Sequence, residues 1–288
     1  MNYHQNFNRV SKTMLGHFIR STSDYCRYYV KQTDEPPKPK TAMVIGSAIH
    51  AILLERKQAS DCVAAIPDSC LKSNGAINPK PTAQFRADNP DKFVMKQAEA
   101  AMVSHACDAA YRHELGDLIR HDNAVFEKPQ EFECPHSGLS CRLMADFFID
   151  MGNYILAYDL KTTEDIYPVG IRRTARTLKY WLQDQHYSSG LSEIFGKPTQ
   201  FRFWFLEVGH PHRIAPYEYN QRAREIAKGE YVHQMQRLAN CYRDGDWRDD
   251  WQCKVNDLDL SPWDVSPEIA NAETELEGFD DDEEQPAF

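Results

Sequence analysis

The sequence predicts an α/β (α+β) domain with a central mixed β-sheet flanked by helices, and three observations predict it. Apolar residues recur at helical spacing near both ends of the chain. The middle switches to short runs rich in Phe, Tyr and Ile, separated by Gly and Asn turns. The resulting order is helices, three strands, helix, two strands, helix, with no internal repeat.

Residues 11–31 read as one amphipathic helix, with Ser11 as N-cap and Met14, Leu15, Phe18 and Ile19 as its apolar stripe. The Pro-rich run 34–40 (DEPPKPK) cannot be helical. A mostly apolar helix follows at 42–55, apolar enough to be buried on most sides. Five Pro and Gly residues make 66–90 an irregular loop, and 91–112 returns to helix. Runs 127–134, 139–150 and 154–163 predict a three-stranded antiparallel meander turning at PHSG and MGN. A long helix is expected over about 168–195, then strands at 199–208 and 212–219 and a last amphipathic helix over 220–243. Residues 1–254 thus form the expected domain, and 255–288 show no periodicity and read as a disordered acidic tail.

Composition narrows the function classes. A 42% hydrophobic share with 14 Phe and 14 Tyr suffices for a sizeable core. No apolar run reaches membrane-spanning length and the N-terminus lacks the order of a secretory signal, so a soluble, cytoplasmic protein with no membrane partner is expected. Eight cysteines stand singly with no C-x-x-C pair, which argues against a zinc ribbon and favours reduced, partly buried thiols. The net charge of −10 is uneven: twelve acids and no Lys or Arg follow Lys254, so residues 1–254 sum to +2. A near-neutral body can carry a basic groove, and the tail has two sensible uses besides solubility: anchoring a basic partner or shielding that groove.

The most informative segment is ADFFIDMGNYILAYDLKTT. Side chains alternate across a strand, so Asp159 and Lys161 share a face while Leu160 is opposed and buried. A short turn at 151–153 folds the Asp146 strand back against them. Two carboxylates then converge on a divalent cation with an ammonium beside it, which suits phosphodiester hydrolysis. Taken alone, D-x-K also fits ordinary polar residues at a strand end. Gly46 and His50 lie i, i+4 on one helix face, and His50 reads either as a core histidine or as a nitrogen ligand that would admit Mn²⁺ beside Mg²⁺. On a continuous helix, Arg172, Arg176, Lys179, Gln183 and Tyr187 would form one polar, basic stripe suited to phosphates, with Leu178 and Leu182 inward. A solvated charged face is the other reading of that stripe.

G-x-x-x-H, then D, then D-x-K, then Q-x-x-x-Y in this order resembles the RecB-type branch of PD-(D/E)XK nucleases. Within it, SGLSCRLMADF, DLKTT, SKTMLGHF and GSAIHAILLE resemble the RecE (exonuclease VIII) C-terminal nuclease domain, over about residues 8–220. The resemblance implies a PD-(D/E)XK restriction-endonuclease-like fold. It implies His50, Asp146, Asp159 and the Leu160 backbone carbonyl as metal ligands, Lys161 as catalytic, and Gln183 and Tyr187 as residues that steady the site and contact DNA. It also implies a further acid upstream, for which Glu131 is the first candidate and Glu127 the second. The basic stripe, apart from the resemblance, makes Arg172, Arg173, Arg176, Lys179 and Gln183 the candidate DNA contacts. Relatives commonly carry Arg-Pro before the first Asp, where this chain has Met144-Ala145.

The activity implied is a Mg²⁺-dependent exonuclease acting 5′ to 3′ on ends of linear double-stranded DNA. It leaves 3′ single strands for recombination, works as a homo-oligomeric ring and partners a RecT-like single-strand annealing protein. Only Cys241 and Cys253 follow the Gln-Tyr helix, so the iron–sulfur cluster of a sister branch is not expected. Two rivals remain: a single-strand or structure-specific endonuclease on the same site, and a non-catalytic DNA-binding or inhibitor module.

Overall fold

The computed structural model describes residues 8–37 and 44–255. Most of the 255–288 segment, and with it the reading of an acidic tail, lies outside these residues. The first long helix is shorter than expected. α1 (Lys12–Arg20) is capped by Ser11, whose hydroxyl accepts from the Met14 N–H, but it stops where Ser21 turns extended. Ser21 then caps α2 (Thr22–Tyr25), and a π-helical turn, Cys26–Val30, follows. A serine that satisfies free N–H groups makes a new start cheaper than continuing the old helix. α3 (Val44–Leu53) is the apolar helix, and α4 (Ala59–Cys62) leads into β1 (Val63–Ala65).

Two sequence expectations fail next. The segment 66–90 is not all loop: a 3₁₀ turn, Asp68–Cys70, precedes α5 (Pro79–Ala87). Pro79 and Pro81 open that helix, where a missing N–H costs nothing. Nor is 91–112 all helix, because β2 (Phe93–Met95) pairs in parallel with β1. Helix α6 (Gln97–Arg112) starts only after Lys96, whose N–H donates to Glu99 at 2.7 Å. α7 (Glu114–Ile119) follows.

The central sheet has the order β3-β6-β7-β8-β9, built from Ala124–Phe126, Phe147–Asp150, Ile155–Thr163, Thr199–Glu207 and Ile214–Tyr217. β7 and β8 run parallel and the other pairs antiparallel, so the sheet is mixed as expected. The three-stranded meander is corrected. The run 139–150 breaks at Met144–Asp146, and β4 (Gln130–Glu133) pairs with β5 (Ser140–Leu143) in a sheet of their own. Val10 joins the β5 edge, donating to the Ser140 carbonyl and accepting from the Arg142 N–H, both at 2.9 Å.

The β7–β8 crossover is the second corrected helix. α8 (Pro168–Thr177) and α9 (Tyr180–Phe195) are separated by Leu178 and by Lys179, which adopts the left-handed conformation (φ 51°). The five-residue stripe from Arg172 to Tyr187 is therefore not one helix face, and Leu178 is 52% exposed rather than inward. The break turns the Tyr180 ring inward, stacked on Phe203 at 5.2 Å. At Gly190 of α9 an added Cβ would fall 2.3 Å from Leu143 and 2.6 Å from Phe132, so β4–β5 can pack there only against glycine. α10 (Gln221–Asp244) closes the order, capped by Asn220 and by Gly245 in the left-handed region.

Strand alternation splits the core into two layers, one on each face of the sheet. Ile155, Ala157, Phe201, Phe203 and Phe205 pack with α1, α9 and α10. Leu156, Tyr158, Leu160, Trp204 and Leu206 pack with α3 and α6. Each fully buried large side chain contributes about 1.5–3 kcal/mol. Cys26, Cys62, Cys70, Cys107, Cys134 and Cys141 are buried. The compact unit ends at Trp247; Arg248 begins a second unit, in which Asp250–Cys253 form a 3₁₀ turn. Among the described residues no helix is long and apolar enough to cross a membrane.

Candidate active site

β7 carries Asp159 and Lys161 on the face toward α9, and helices from both faces of the sheet reach its backbone. α3 comes close because Gly46 has no side chain: a Cβ there would sit 3.0 Å from Thr162 Oγ1. That approach brings His50 Nε2 to 2.9 Å from the Leu160 carbonyl and 3.7 Å from Asp146 Oδ2. The Leu160 N–H donates to the same Asp146 oxygen at 2.6 Å. Asp146 sits at the β5–β6 break, so the corner that splits the expected meander is what aims its carboxylate at β7.

From the opposite face, Gln183 of α9 donates to Asp159 Oδ2. Lys161 Nζ lies 2.5 Å from Asp159 Oδ1, whose carboxylate is 4% exposed. Apart from that ammonium, the oxygen has no hydrogen-bond donor among the described residues. The Tyr180 ring lies 5.2 Å from Lys161 Nζ. Burial works against the Lys161 charge, but Asp159 and Asp146 outweigh it and hold the ammonium charged. Burial, and then the nearby Asp159 charge, push the Asp146 carboxyl up to about 7.

These residues fit a divalent cation. Asp146 and Asp159 are like charges in a partly desolvated place, a conflict that a cation relieves. His50 Nε2 lies 2.9 Å from the Leu160 carbonyl and 3.7 Å from Asp146 Oδ2, and the Asp159 charge acts on Asp146, so oxygens of the hard kind that Mg²⁺ prefers stand near a nitrogen tolerable to Mn²⁺. Among the described residues no three His, Cys, Asp or Glu side chains form a ready-made cage. An ion that keeps several waters does not require one.

The other expected residues are placed less centrally. Glu131 lies in the β4–β5 sheet, 55% exposed and paired with Arg9 at 2.9 Å, away from the carboxylate pair. Glu127 is nearer: its N–H donates to the Asp146 carbonyl at 3.0 Å, and its carboxyl interacts with Glu55 and His50. Tyr187 is half-buried and packs edge-on against Phe201. Arg172, Arg173 and Arg176 are exposed on α8, and Lys179 is half-buried at the α8–α9 break. Sequence reasoning missed Tyr180, because only the break at Lys179 turns it toward Lys161. It also missed Lys12, at the start of α1, whose charge interacts with Lys161 and Asp159.

α9 is anchored by a buried histidine. His186 Nε2 lies 3.0 Å from the Arg142 carbonyl, so it donates, and Nδ1 accepts from Tyr231 Oη at 3.1 Å. Burial pulls its pKa down to about 4. The unfolded chain takes up that proton near pH 6.5 while the folded one does not, so stability is lost as pH falls from about 6.5 toward 4. At pH 5 the His186 share of that loss is about 2 kcal/mol, equivalent to about 4–8 °C in Tm. The raised Asp146 carboxyl contributes with the opposite sign, so the His186 share is read as the difference in pH slope between wild type and His186→Gln. Thermal melts of wild type and His186→Gln check this; equal pH 5–7 slopes in both would refute it.

Two carboxylates at the bend of a mixed sheet, with a lysine two residues beyond the second, place the protein among the PD-(D/E)XK nuclease domains. The chain belongs to the family described as "PDDEXK-like domain of unknown function (DUF3799)", which matches residues 11–255. That agrees with the resemblance read from the motifs. A solved structure from Eubacterium rectale bearing the name "putative exonuclease" has the same fold at a TM-score of 0.55 and 12% identity, over 92% of this chain and 97% of that one. A second, titled "Crystal structure of SSO0001", is 16% identical over 74% of this chain and 91% of that one; at a TM-score of 0.30 it carries no argument. No curated protein matches.

Proposed function

We propose that the protein is a Mg²⁺-dependent DNA exonuclease that degrades linear duplex from the 5′ end and leaves 3′ single strands. The observation that carries this reading is the convergence of Asp146, Asp159, Lys161, His50 and Gln183 on three residues of β7. A bound Mg²⁺ would polarise the scissile phosphate and activate a water. Asp146, Asp159, the Leu160 carbonyl and His50 would hold it. Gln183 fixes the Asp159 carboxylate in one orientation, so the site is organised before substrate arrives. Lys161 offers positive charge where negative charge develops on the phosphate oxygens. Exposed Arg172, Arg173 and Arg176, with Lys179, would track the DNA backbone and fix its register.

Motif resemblance supports end-dependent digestion, as does the name borne by the similar Eubacterium rectale structure. The same resemblance supports a homo-oligomeric ring and a single-strand annealing partner, which native mass and co-purification test. The deciding experiment incubates linear and covalently closed circular duplex with protein and Mg²⁺, with and without EDTA. Loss of linear DNA alone, blocked by EDTA, is expected. Cutting of closed circles would replace this reading with an endonuclease, and no cutting at all would leave a binding or inhibitor module.

A further inference from the structure

We propose that Lys12 is a second phosphate-binding cation of this active site, holding a non-bridging oxygen of the DNA phosphate that lies over Asp159 and Lys161. The inference rests on the nuclease reading and adds a residue to it. Its basis is the way the start of α1 is held. Val10 is hydrogen-bonded into the β5 edge at Ser140 and Arg142, and Ser11 caps the helix. The Arg142 carbonyl in turn accepts from His186 of α9. Further along α1, Gly16 lies against Leu182: a Cβ there would be 3.9 Å from its side chain. Leu182 immediately precedes Gln183, which grips Asp159. The start of α1 is thus fixed between β5 and α9, and the Lys12 charge acts on Lys161 and Asp159 of β7.

Its charge is poorly matched there. Lys12 is half-buried, and among the described residues no carboxylate forms an ion pair with it. Burial, and then repulsion from Lys161, pull its pKa down to about 8, with only partial relief from Asp159. Its charge also reaches His186. Two ammonium groups sharing a partly desolvated site repel each other until an anion arrives, and a phosphate is the anion that the rest of the site is built for.

The test measures binding of a short 5′-phosphorylated duplex in EDTA, between 50 and 300 mM salt, for wild type, Lys12→Met and Lys12→Arg. Lys12→Met keeps the apolar stem and should weaken binding about 10-fold at low salt. It should also lower the slope of log affinity against log salt by about 0.9, as for one lost phosphate contact. Lys12→Arg should restore both. Without DNA, the Tm of Lys12→Met should match or exceed wild type, because a repulsion is removed. Unchanged affinity and slope in Lys12→Met, with a wild type that cleaves, would overturn this inference alone. A drop in Tm that Lys12→Arg does not repair would return Lys12 to a structural role. A wild type that neither binds nor cleaves duplex would overturn the nuclease reading and this inference with it.

Discussion

Asp159→Asn is expected to lower Mg²⁺-dependent cleavage by about 10³-fold or more while the protein stays folded. A metal's charge stabilisation of the transition state amounts to several kcal/mol, and each 1.36 kcal/mol is tenfold in rate. Asp159 contributes through a nearly buried carboxylate gripped by Gln183 on one oxygen and Lys161 on the other. The amide keeps the shape and removes the charge. It also leaves the half-buried Lys161 with Asp146 as its remaining carboxylate, so the single variant should lose stability, by less than the ~3–5 kcal/mol of a fully buried pair broken on one side. That complication is separable. The double variant Asp159→Asn with Lys161→Met removes both charges and should recover much of the Tm while remaining inactive. Single-variant turnover within tenfold of wild type would sink the assignment of Asp159 as a metal ligand.

The parts of this site that were legible in the sequence are those fixed by local periodicity. Two-residue strand alternation placed Asp159 and Lys161 together and Leu160 opposite, and i, i+4 spacing placed Gly46 and His50 on one face of α3. The illegible parts are set by breaks. Nothing in LSCRLMADFFID announces that β5 ends at Leu143 and that the chain turns a corner at Asp146, yet the corner aims that carboxylate. Nothing in RTLKYW announces a left-handed Lys179, since non-glycine residues enter that region only when tertiary packing over-determines it. The break detaches Arg172 and Arg176 from the Gln183 face and inserts Tyr180 beside Lys161. Lys12 was invisible for a different reason: it is brought to β7 by pairing between Val10 and β5 across about 130 residues, and a lysine near a helix start has no signature of its own.

Lys161→Met is expected to lower kcat about 10²–10³-fold, the scale for losing one preorganised oxyanion stabiliser, with little change in KM for DNA. The structure adds a second, opposite effect on the metal. The Lys161 ammonium sits 2.5 Å from Asp159 Oδ1 and competes for the oxygen that a cation would use. Removing it frees that oxygen and takes a positive charge from the site, so the Mg²⁺ concentration for half-maximal activity should fall even as turnover collapses. Lys161→Arg should not rescue turnover. Its broad planar fork replaces a compact point charge in a place bounded by the Tyr180 ring and the Asp159 carboxylate. Titration of Mg²⁺ against turnover for the three proteins separates the possibilities. Unchanged kcat with a raised KM would make Lys161 a phosphate contact only. A raised Mg²⁺ requirement would mean that the ammonium organises Asp159 for the metal instead of competing with it. Only collapsed turnover together with an unchanged or lowered Mg²⁺ requirement fits a lysine that acts on the transition state.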